Sequence, residues 1–421
     1  MTRRNALDFD VAVVGAGPAG SVSAKEIAAA GYKVLLLEEH DVVGQPVHCS
    51  GLISPRTLEA TGLDNDIVLN SIKGAVVYTP MGNTITVGGN RTHALVIDRA
   101  LMDEGLARKA QEAGAVLALR SRLASMQRSD DGVRLHVQRG SEKAEQKIDV
   151  RLVIGADGSH SAVAKGMGTG QSEESIVAVG GEISMQSQHD DMVEVYVQPD
   201  LAPGWFGWTI PLGTDVSRIG IGSDEQGRNP RRLLEGLMES HEHLRDSSVL
   251  RLQGGVIPVA PLRQIAEPRA MLVGDAAGQV KPTSGGGIHT SILSAKICAD
   301  VAIEALERGA LGEEAAARYR TEWMRTVGLE LYRGRLLRHM LAQLTPVETE
   351  QLLQLFTLKE VCEVMAAQGD IDFPVHLFSH LFRPAVVFRV LRALPLRLWP
   401  RLAWLLVQWY RKVSNHQPGL Q

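Results

Sequence analysis

The stretch "FDVAVVGAGPAGSVSAKEIAAAGYKVLLLEEH", Phe9 to His40, decides the fold. It joins a strand, a Gly-rich turn, a helix, a second strand and an acid in the order of a dinucleotide-binding βαβ unit. A lone Gly-x-Gly-x-x-Gly is a weak signal, and the surrounding pattern makes this one specific. The parts are the apolar run Val11–Val14, Gly15-x-Gly17-x-x-Gly20, a helical pattern up to Ala30, the apolar run Val34–Leu37, and Glu38.

Each glycine of this turn has a separate physical task. Gly15 permits the tight turn, Gly17 lets the backbone approach a pyrophosphate, and Gly20 lets helix and strand pack closely. The phosphates are expected at the helix N-terminus, where free N–H groups and the helix dipole favour anions. Glu38 is expected to reach the ribose hydroxyls.

Two later segments favour FAD over NAD as the dinucleotide. In "DVRLVIGADGSHSAVAK" a buried strand precedes Asp157, and in "PRAMLVGDAAGQVKPTSGGGIHTSILSAKICAD" a strand precedes Asp275. Asp275 is expected to hold a ribityl hydroxyl. The Gly285–Gly287 cluster, with Ile288 opening a helix, is expected to aim N–H groups at the flavin N1–O2 side. No second Gly-x-Gly-x-x-Gly follows a strand, so the sequence gives no support for stable binding of NAD(P)H. The flavin's electrons are expected from an external donor, ferredoxin or NAD(P)H.

Length and composition exclude several classes. A chain of 421 residues is expected to form two or three domains, and its 44% apolar and 22% charged residues are ordinary for a globular protein. A net charge of −4 gives no reason to expect a nucleic-acid partner. Three scattered cysteines predict neither a disulfide framework nor a metal site. We therefore expect a reduced, cytoplasmic compartment.

The C-terminal stretch "LPLRLWPRLAWLLVQWYRKV", Leu394 to Val413, comes near the membrane class. Its longest charge-free run, Leu402 to Tyr410, is shorter than the roughly 20 residues that a span requires. Alternating aromatic and basic residues suit a helix lying in the headgroup layer. A terminal helix packed on the protein body is the other interpretation, so the stretch predicts either peripheral membrane association or a core element.

The segment "PGWFGWTIPLG", Pro203 to Gly213, concentrates aromatic residues in a chain that has only six Trp and seven Phe. Aromatic residues flanked by Gly and Pro often end a strand against a core. A flat apolar wall facing a ligand is the alternative. The residues concerned are Trp205, Phe206, Trp208, Ile210 and Pro211.

The three nucleotide segments resemble the glutathione-reductase-type FAD fold of the hydroxybenzoate-hydroxylase group, and within it the geranylgeranyl reductases. The segment from Pro203 to Pro211 has the spacing of that family's Pro-x-x-Tyr-x-Trp-x-Phe-Pro, with Phe206 for Tyr and Ile210 for Phe. Halogenases carry a similar Trp-x-Trp-x-Ile-Pro, whose first Trp is absent in register here. The segment alone therefore leaves both families open.

Further stretches resemble the archaeal-type geranylgeranyl reductases, so that the resemblance runs from about residue 9 to about residue 380. They are "GDAAGQVKPTSGGGI", "VGQPVHCSGLIS" and "AAQGDIDFPVHL" (Ala366 to Leu377). The second reads Cys49-Ser50-Gly51-Leu52 where many archaeal members of that family have Cys-Ala-Glu-Gly. The resemblance, together with the motifs above, implies FAD contacts at Gly15, Gly17, Ala19, Gly20, Glu38, Cys49, Ser50, Gly51, Arg99, Leu123, Asp157, Asp275, Gly286, Gly287 and Ile288.

The resemblance implies FAD-dependent saturation of isolated double bonds in polyprenyl chains, carried by a lipid or a prenyl diphosphate. The aromatic segment would then steer the prenyl chain across the flavin. Such a reduction needs a proton as well as a hydride, and Cys49, His48 and His289 are the candidate proton donors. The alternatives are a small buried apolar residue for Cys49 and a structural or flavin-orienting role for each histidine.

Three other functions remain open at this stage. The first is a flavin monooxygenase or halogenase, and Lys73 is not excluded as the lysine that halogenases place between flavin and substrate. The second is a quinone-linked electron-transfer flavoprotein, although three cysteines cannot ligate the iron–sulfur cluster of such dehydrogenases. The third is a lipid-binding carrier with a vestigial flavin.

The predicted architecture is α/β. It has a glutathione-reductase-type, Rossmann-like FAD domain, an antiparallel sheet that forms the substrate domain, and a helical C-terminal region. The FAD domain is discontinuous, because strand patterns of the substrate domain interrupt it. The predicted ranges are 1–65, 92–168 and 255–305 for the FAD domain, 66–91 and 169–254 for the substrate domain, and 306–421 for the helical region.

Overall fold

The computed structural model describes residues 7–225 and 227–375. The strands among these residues are β1 (Phe9–Val14), β2 (Val34–Leu37), β3 (Leu52–Ile53), β4 (Val68–Ile72), β5 (Gly74–Tyr78), β6 (Thr84–Gly88), β7 (Ala94–Ile97), β8 (Val116–Ala118), β9 (Ser121–Arg128), β10 (Val133–Arg139), β11 (Ala144–Gly155), β12 (Ser175–Ser184), β13 (Met192–Tyr196), β14 (Gly207–Pro211), β15 (Val216–Ser223), β16 (Ser248–Pro258), β17 (Ala266–Glu267) and β18 (Ala270–Leu272).

The α-helices of the same residues are α1 (Pro18–Ala29), α2 (Pro55–Thr61), α3 (Arg99–Glu112), α4 (Ala162–Met167), α5 (Pro230–Ser240), α6 (Glu242–Arg245), α7 (Ile288–Glu307), α8 (Glu313–Trp323), α9 (Leu329–Leu341), α10 (Pro346–Gln354) and α11 (Lys359–Gln368). Short 3₁₀ turns occur at Asn65–Ile67, Gly274–Ala277 and Leu355–Thr357, and a π turn at Met324–Gly328 joins α8 to α9.

The eight-stranded sheet carries the βαβ unit, and its main path runs β17-β18-β11-β1-β2-β8. Strand β1 pairs in parallel with β2 and β11, while β9 and β10 extend the sheet as antiparallel strands from the first half of β11. Val11, Ala12 and Val13 are fully buried. A parallel strand covered on both faces needs a continuous apolar sequence, and β1 has one.

Helices α1, α3 and α7 pack together against this sheet. Helix α1 follows directly from the Gly-rich turn, with Pro18 at its first position and nine buried residues. Helix α7 is 20 residues long and buries twelve of them. Small side chains such as Ala24, Ala295 and Ala299 let these helices approach closely within one core.

The seven-stranded sheet has the order β16-β12-β15-β14-β13-β5-β6, antiparallel except for the β13–β5 pair. The three-stranded sheet has the order β3-β7-β4. Ile210 of the seven-stranded sheet packs with Ile72, Ala94 and Val96 of the three-stranded sheet. This contact brings the predicted substrate face next to β3, which begins directly after Gly51 and so continues the segment that carries Cys49.

The predicted division of the chain into domains stays a prediction. Helices α8 to α11 account for the described part of the C-terminal region, and the stretch Leu394 to Val413 lies outside the described residues. Within residues 7–225 and 227–375, no helix combines the length and the apolar character needed to cross a bilayer.

Candidate active site

The turn between β1 and α1 has the close contacts that its glycines predict. Gly15 has a φ of +97°, and a Cβ built there would lie 2.4 Å from the Ala156 carbonyl oxygen. A Cβ at Gly20 would lie 1.9 Å from the Gly15 carbonyl oxygen. A Cβ at Gly17 would meet nothing within 4 Å. Gly15 and Gly20 are thus required by contacts within the protein, whereas Gly17 faces open space.

Glu38 lies beside this turn and holds its backbone. Oε2 of Glu38 accepts a hydrogen bond from the Ala16 backbone N–H at 2.9 Å, and Oε1 accepts one from the His40 backbone N–H at 3.0 Å. The residue is 9% exposed. The acid at the end of β2 is therefore anchored next to the turn, with its carboxylate near the N-terminus of α1.

The ends of three neighbouring parallel strands converge on the turn. Asp157 follows β11, and its α-carbon would lie 3.1 Å from a Cβ at Gly15. Gly274 follows β18, and a Cβ there would lie 3.1 Å from the Ala19 Cβ. In an open sheet of this type, ligands bind outside the carboxyl ends of the strands where the strand order reverses. Strands β1 and β11 form that reversal here.

The two aspartates at these strand ends have different tasks. Asp157 accepts hydrogen bonds from Ser161 Oγ at 2.5 Å and from the Ala162 N–H at 2.7 Å, so its carboxylate stabilises the start of α4. The Asp275 side chain accepts no hydrogen bond from any described residue. It reaches solvent in the cleft between the strand ends. The protein atoms around it still desolvate the carboxylate and raise its pKa, while Arg99 acts in the opposite direction. Asp275 is the carboxylate left for a ligand.

Arg99 opens α3 beside this cleft. Its Nε lies 2.8 Å from Asp103 Oδ1, and its guanidinium also interacts with Cys49. Burial works against the charged form, but the negative charge of Asp103 and the interaction with Cys49 raise the pKa of Arg99. The arginine therefore stays a cation that links α3 to the Cys49 loop.

The Gly285–Gly287 loop precedes α7 and closes one side of the cleft. A Cβ at Gly287 would lie 3.4 Å from Asp275 Oδ1. No described side chain caps the N-terminus of α7, so the first N–H groups around Gly286 and Ile288 keep their capacity to bind an anion. The strand-end carboxylate and the helix N-terminus thus lie side by side.

The Cys49 loop crosses the same region and ends in β3. The Gly51 N–H donates to Cys49 Sγ at 3.3 Å. Arg218 of β15, which is 6% exposed, donates to the Ser50 carbonyl at 2.8 Å and to the Ile97 carbonyl at 3.0 Å. A Cβ at Gly51 would lie 2.2 Å from Arg218 Nη1. Arg218 therefore fixes the loop that carries Cys49.

The two candidate histidines lie in different surroundings. His48 is exposed. His289 is 5% exposed, its Nδ1 lies 3.0 Å from Thr57 Oγ1, and its ring meets Phe373 edge-on at 5.5 Å. Burial lowers the pKa of His289, although Asp372 acts in the opposite direction. His289 is thus held in place, whereas the His48 side chain is open to solvent.

The aromatic residues form a connected cluster that reaches the Gly285–Gly287 loop. Trp205 and Phe206 stack with ring centroids 5.0 Å apart, and Phe206 meets Trp208 edge-on at 5.9 Å. Gly285 has a φ of +71°, and a Cβ there would lie 3.1 Å from Trp205 Cζ2. Trp205 is buried, while Phe206 and Trp208 are half-buried. The exposed faces of the cluster belong to the last two.

Ile210 and Pro211 are buried at the far end of the aromatic segment. Trp208 and Ile210 are two residues apart in β14 and point to the same side of the sheet. Both pack in the cluster that includes Leu52 and Ile371. The aromatic segment therefore divides into a Trp205–Phe206 stack beside the Gly285–Gly287 loop and a Trp208–Ile210 face next to β3.

The side chains of two residues named from the sequence, Leu123 and Lys73, lie away from the open cleft. Leu123 is 4% exposed and packs in the main core, so only its backbone could reach a ligand. Lys73 is exposed and pairs with Asp191 at 2.9 Å, beside the start of strands β5 and β13.

Sequence reasoning missed three buried charged residues that support the site. Arg218 appears within an ordinary strand pattern, and Arg338 within a helical one. Arg338 Nη2 lies 2.7 Å from Asp224, and its guanidinium carbon lies 5.8 Å from the centre of the Trp205 ring. Asp372 lies close to Lys281 and His289. The only sequence signal for Asp372 was the resemblance of "GDIDFP".

The site fits a dinucleotide that carries a flavin. It offers the open side of Gly17, the uncapped N-termini of α1 and α7, and an Asp275 carboxylate that bonds to no described residue. These are the groups that phosphates, a flavin ring and a ribityl hydroxyl require. The described residues contain no group of three or more His, Cys, Asp or Glu side chains suited to a metal ion.

Comparisons with known proteins agree with this fit. The family model described as FAD binding domain matches residues 8–327. A digeranylgeranylglycerophospholipid reductase 2 of Methanopyrus kandleri is 32% identical over 76% of this chain and 84% of its own. The crystal structure of a geranylgeranyl bacteriochlorophyll reductase-like protein from Thermoplasma acidophilum is 26% identical, with a TM-score of 0.77 over 92% of this chain and 99% of its own.

A flavin-dependent brominase has a similar structure, with a TM-score of 0.68 over 89% of this chain and 98% of its own. The two sequences are only 15% identical, so this likeness concerns the fold alone. The predicted fold class, the FAD cofactor and the resemblance to geranylgeranyl reductases are confirmed by the family match and the first two similarities.

Proposed function

Because this chain belongs to the FAD binding domain family, and within it to the digeranylgeranylglycerophospholipid reductases, we propose that it is an FAD-dependent reductase of polyprenyl chains. Its substrates are geranylgeranyl chains of membrane lipid precursors, and its product carries saturated bonds in place of isolated double bonds. The relatives' names state the substrate and the reduction, and the site supports both for this chain.

The contact between Trp205 and Gly285 is the observation that carries the proposal. It places an aromatic cluster directly beside the loop that opens α7. The half-buried faces of Phe206 and Trp208 add apolar area to that side of the site. A prenyl chain is apolar and flexible, and an aromatic wall of this kind binds it without specific hydrogen bonds.

Reduced FAD, when bound, would supply a hydride to one carbon of the double bond. The protein supplies the proton to the other carbon and stabilises the positive charge that develops between them. The faces of Phe206 and Trp208 have the negative quadrupole that a tertiary carbocation-like centre requires. The aromatic cluster thus both positions the chain and stabilises its reacting state.

Cys49 is the proton donor in this proposal. Loss of the proton from Sγ leaves a thiolate, and Arg99 and the Gly51 N–H lie beside that sulfur to stabilise it. The exposed His48, next in the chain, returns a proton from solvent to the sulfur. His289 is a buried side chain whose pKa is lowered by that burial, and it positions the start of α7.

The electrons come from an external donor. Ferredoxin and NAD(P)H are the two donor classes to compare.

The enzyme works at a membrane surface. Geranylgeranyl lipids are nearly insoluble in water, so the reductase has to collect them at a bilayer. The stretch Leu394 to Val413 is the proposed docking element, with Arg and Lys for anionic headgroups. Removing residues 394–421 should lower liposome binding and leave the FAD content unchanged. Unfolding or loss of the flavin on truncation would instead assign the stretch to the core.

The decisive experiment uses the full chain reduced with dithionite and supplied with geranylgeranyl lipid. Mass spectrometry should show a gain of two hydrogens for each reduced bond. Cys49→Ser should slow this reaction by at least about tenfold, whereas Cys362→Ser, on α11 beside β6, should not. A product that depends on oxygen or halide, with no saturated bond, would refute the reductase in favour of a monooxygenase or halogenase.

A further inference from the structure

Lys281 is a buried cation packed against the loop that opens α7. It is 8% exposed, and a Cβ at Gly286 would lie 2.8 Å from its Cε and 3.0 Å from its Nζ. The backbone ties the two together as well, because the Lys281 N–H donates to the Gly286 carbonyl at 3.1 Å and the Gly285 N–H donates to the Lys281 carbonyl at 2.9 Å. The ammonium group therefore packs directly against this loop.

The counter-charge comes from a distant part of the chain. Asp372, which is 2% exposed, lies 3.9 Å from Lys281 Nζ, and the Ile371 carbonyl accepts a hydrogen bond from the same Nζ at 2.5 Å. Ser54 Oγ donates to Asp372 at 2.5 Å, and Arg56 lies 2.9 Å from it. The segment after α11 thus delivers one carboxylate between the start of α2 and the loop that opens α7.

Other charged groups also face the pair, and two of them, Arg56 and His289, lie at least as close to Asp372 as Lys281 does. Arg56 also pairs with Asp370, which is partly exposed. Glu330 of α9 interacts with Lys281 at longer range, and it accepts the Val375 N–H at 2.9 Å. His289 lies 3.8 Å from Asp372. Burial lowers the pKa of Lys281, and Asp372 is the strongest of the groups that oppose this shift.

Burying a lysine is costly unless its charge has a use or a close partner. An apolar side chain would fill the space behind Gly286 without that cost. A positive charge at this place adds to the positive end of the α7 dipole, and both favour a ligand that gains negative charge at the same loop. Flavins gain such charge at the N1–O2 side when they are reduced.

We propose that Lys281 and Asp372 are positioning residues that set the electron affinity of the flavin: Lys281 favours reduced over oxidised FAD, and Asp372 limits that preference. The proposal rests on the proposed function, because it assumes that FAD binds at the loop that opens α7. The "GDIDF" segment carries Asp372 and lies outside the strands that would bind FAD. Under this proposal it nevertheless affects the electron affinity of the flavin.

The test is a redox titration of the purified holoprotein at pH 6, because burial lowers the pKa of Lys281 and a low pH favours its protonated form. Lys281→Met should make FAD prefer the reduced state about tenfold less, which corresponds to a two-electron midpoint about 30 mV more negative. Asp372→Asn has nearly the same shape and should move the midpoint in the opposite direction. The double variant should lie close to wild type, because the net charge at the loop is restored.

Controls separate tuning from loss of structure. Lys147→Met removes an exposed lysine of β11 and should leave the midpoint unchanged. Lys281→Arg keeps the charge and should restore most of the wild-type midpoint. If Lys281→Met does not fold, Asp372→Asn carries the test alone, and an unchanged or more negative midpoint for it would overturn the proposal.

The failure of this proposal is distinguishable from failure of the proposed function. Wild-type protein that binds no FAD, or that binds it without reducing prenyl chains, contradicts the function. Wild-type protein that is active, with variants whose midpoints equal that of wild type, contradicts only the tuning by Lys281 and Asp372. Equal shifts of the same sign in both single variants would also contradict it.

Discussion

Substituting alanine for Gly17 and for Gly20 should have opposite consequences, although both glycines belong to one turn. A Cβ at Gly20 would lie 1.9 Å from the Gly15 carbonyl oxygen, and real Cβ contacts essentially never fall below 3.0 Å. The backbone must therefore move apart between β1 and α1. A Cβ at Gly17 would meet nothing within 4 Å, and its φ of −69° and ψ of −175° suit alanine.

The magnitudes follow from these contacts. Overpacking at Gly20 should cost about 1–3 kcal/mol of unfolding free energy, partly offset by up to about 1 kcal/mol of helix propensity. Gly17→Ala should leave the FAD-free protein unchanged or stabilise it by about 0.5 kcal/mol, because the unfolded chain loses freedom. Its added methyl group faces the space that we assign to the pyrophosphate, so FAD binding should weaken about 100-fold, by roughly 2.7 kcal/mol.

The assay is thermal unfolding of both variants with and without FAD. At 100 times the wild-type Kd, FAD stabilises wild-type protein by about 2.7 kcal/mol, and after a 100-fold loss of affinity by only about 0.4 kcal/mol. Gly17→Ala should therefore have a wild-type Tm without FAD and almost no shift with it, while Gly20→Ala should start several degrees lower. Two results would contradict the assignment of the space beside Gly17 to the pyrophosphate. One is that Gly17→Ala unfolds as early as Gly20→Ala without FAD, and the other is that it keeps the full FAD-dependent shift.

Three further predictions concern the cofactor, the substrate and pH. Asp275→Asn should weaken FAD binding by about tenfold, because it removes a carboxylate of the cleft that accepts no hydrogen bond from a described residue. Fluorescence titration measures the affinity for FAD, and Asp246→Asn on the surface is the control. Phe206→Ala should lower kcat/KM for a geranylgeranyl lipid by about fivefold to tenfold through lost apolar contact, with an unchanged flavin spectrum; an unchanged kcat/KM would remove Phe206 from the wall. Burial opposes the charge of Glu194, but hydrogen bonds from His243, Thr209 and Tyr196 lower its pKa from 4.5 to about 2. The contribution of Glu194 to the unfolding free energy should therefore be fully present above about pH 4.5 and be lost as the pH drops toward about 2. In urea titrations, Glu194→Gln should make the unfolding free energy fall less steeply over this pH range, and an equally steep fall would contradict the assignment.

The nucleotide-binding turn could be predicted from the sequence because its determinants are local. The glycines, the two strands and Glu38 all lie between Phe9 and His40, and each requirement concerns neighbouring backbone. The order of the later Asp157 and Asp275 segments extended the prediction to FAD. The fold class, the cofactor and the family resemblance were confirmed, whereas the roles of individual site residues stay predictions.

The orientation of the rings in the aromatic segment could not be predicted from the local sequence. Its composition allowed either a strand packed on a core or a ligand-facing wall, and the structure has features of both. Trp205 is buried against Gly285, while Phe206 and Trp208 keep partly open faces. Which ring faces which neighbour depends on how the seven-stranded sheet lies over the loop that opens α7, and no periodicity in the segment encodes that placement.

The turn, the cofactor class and the family follow from the amino-acid sequence, because these depend on residue types at short spacing. The surroundings of Lys281, Arg218 and Asp372 are formed only when distant segments pack together. The hydrogen bond between Ser54 and Asp372 joins residues 318 positions apart. The physical reason is that a buried charge is tolerated only where other parts of the chain bring its partners, and those partners are selected by packing rather than by spacing along the sequence.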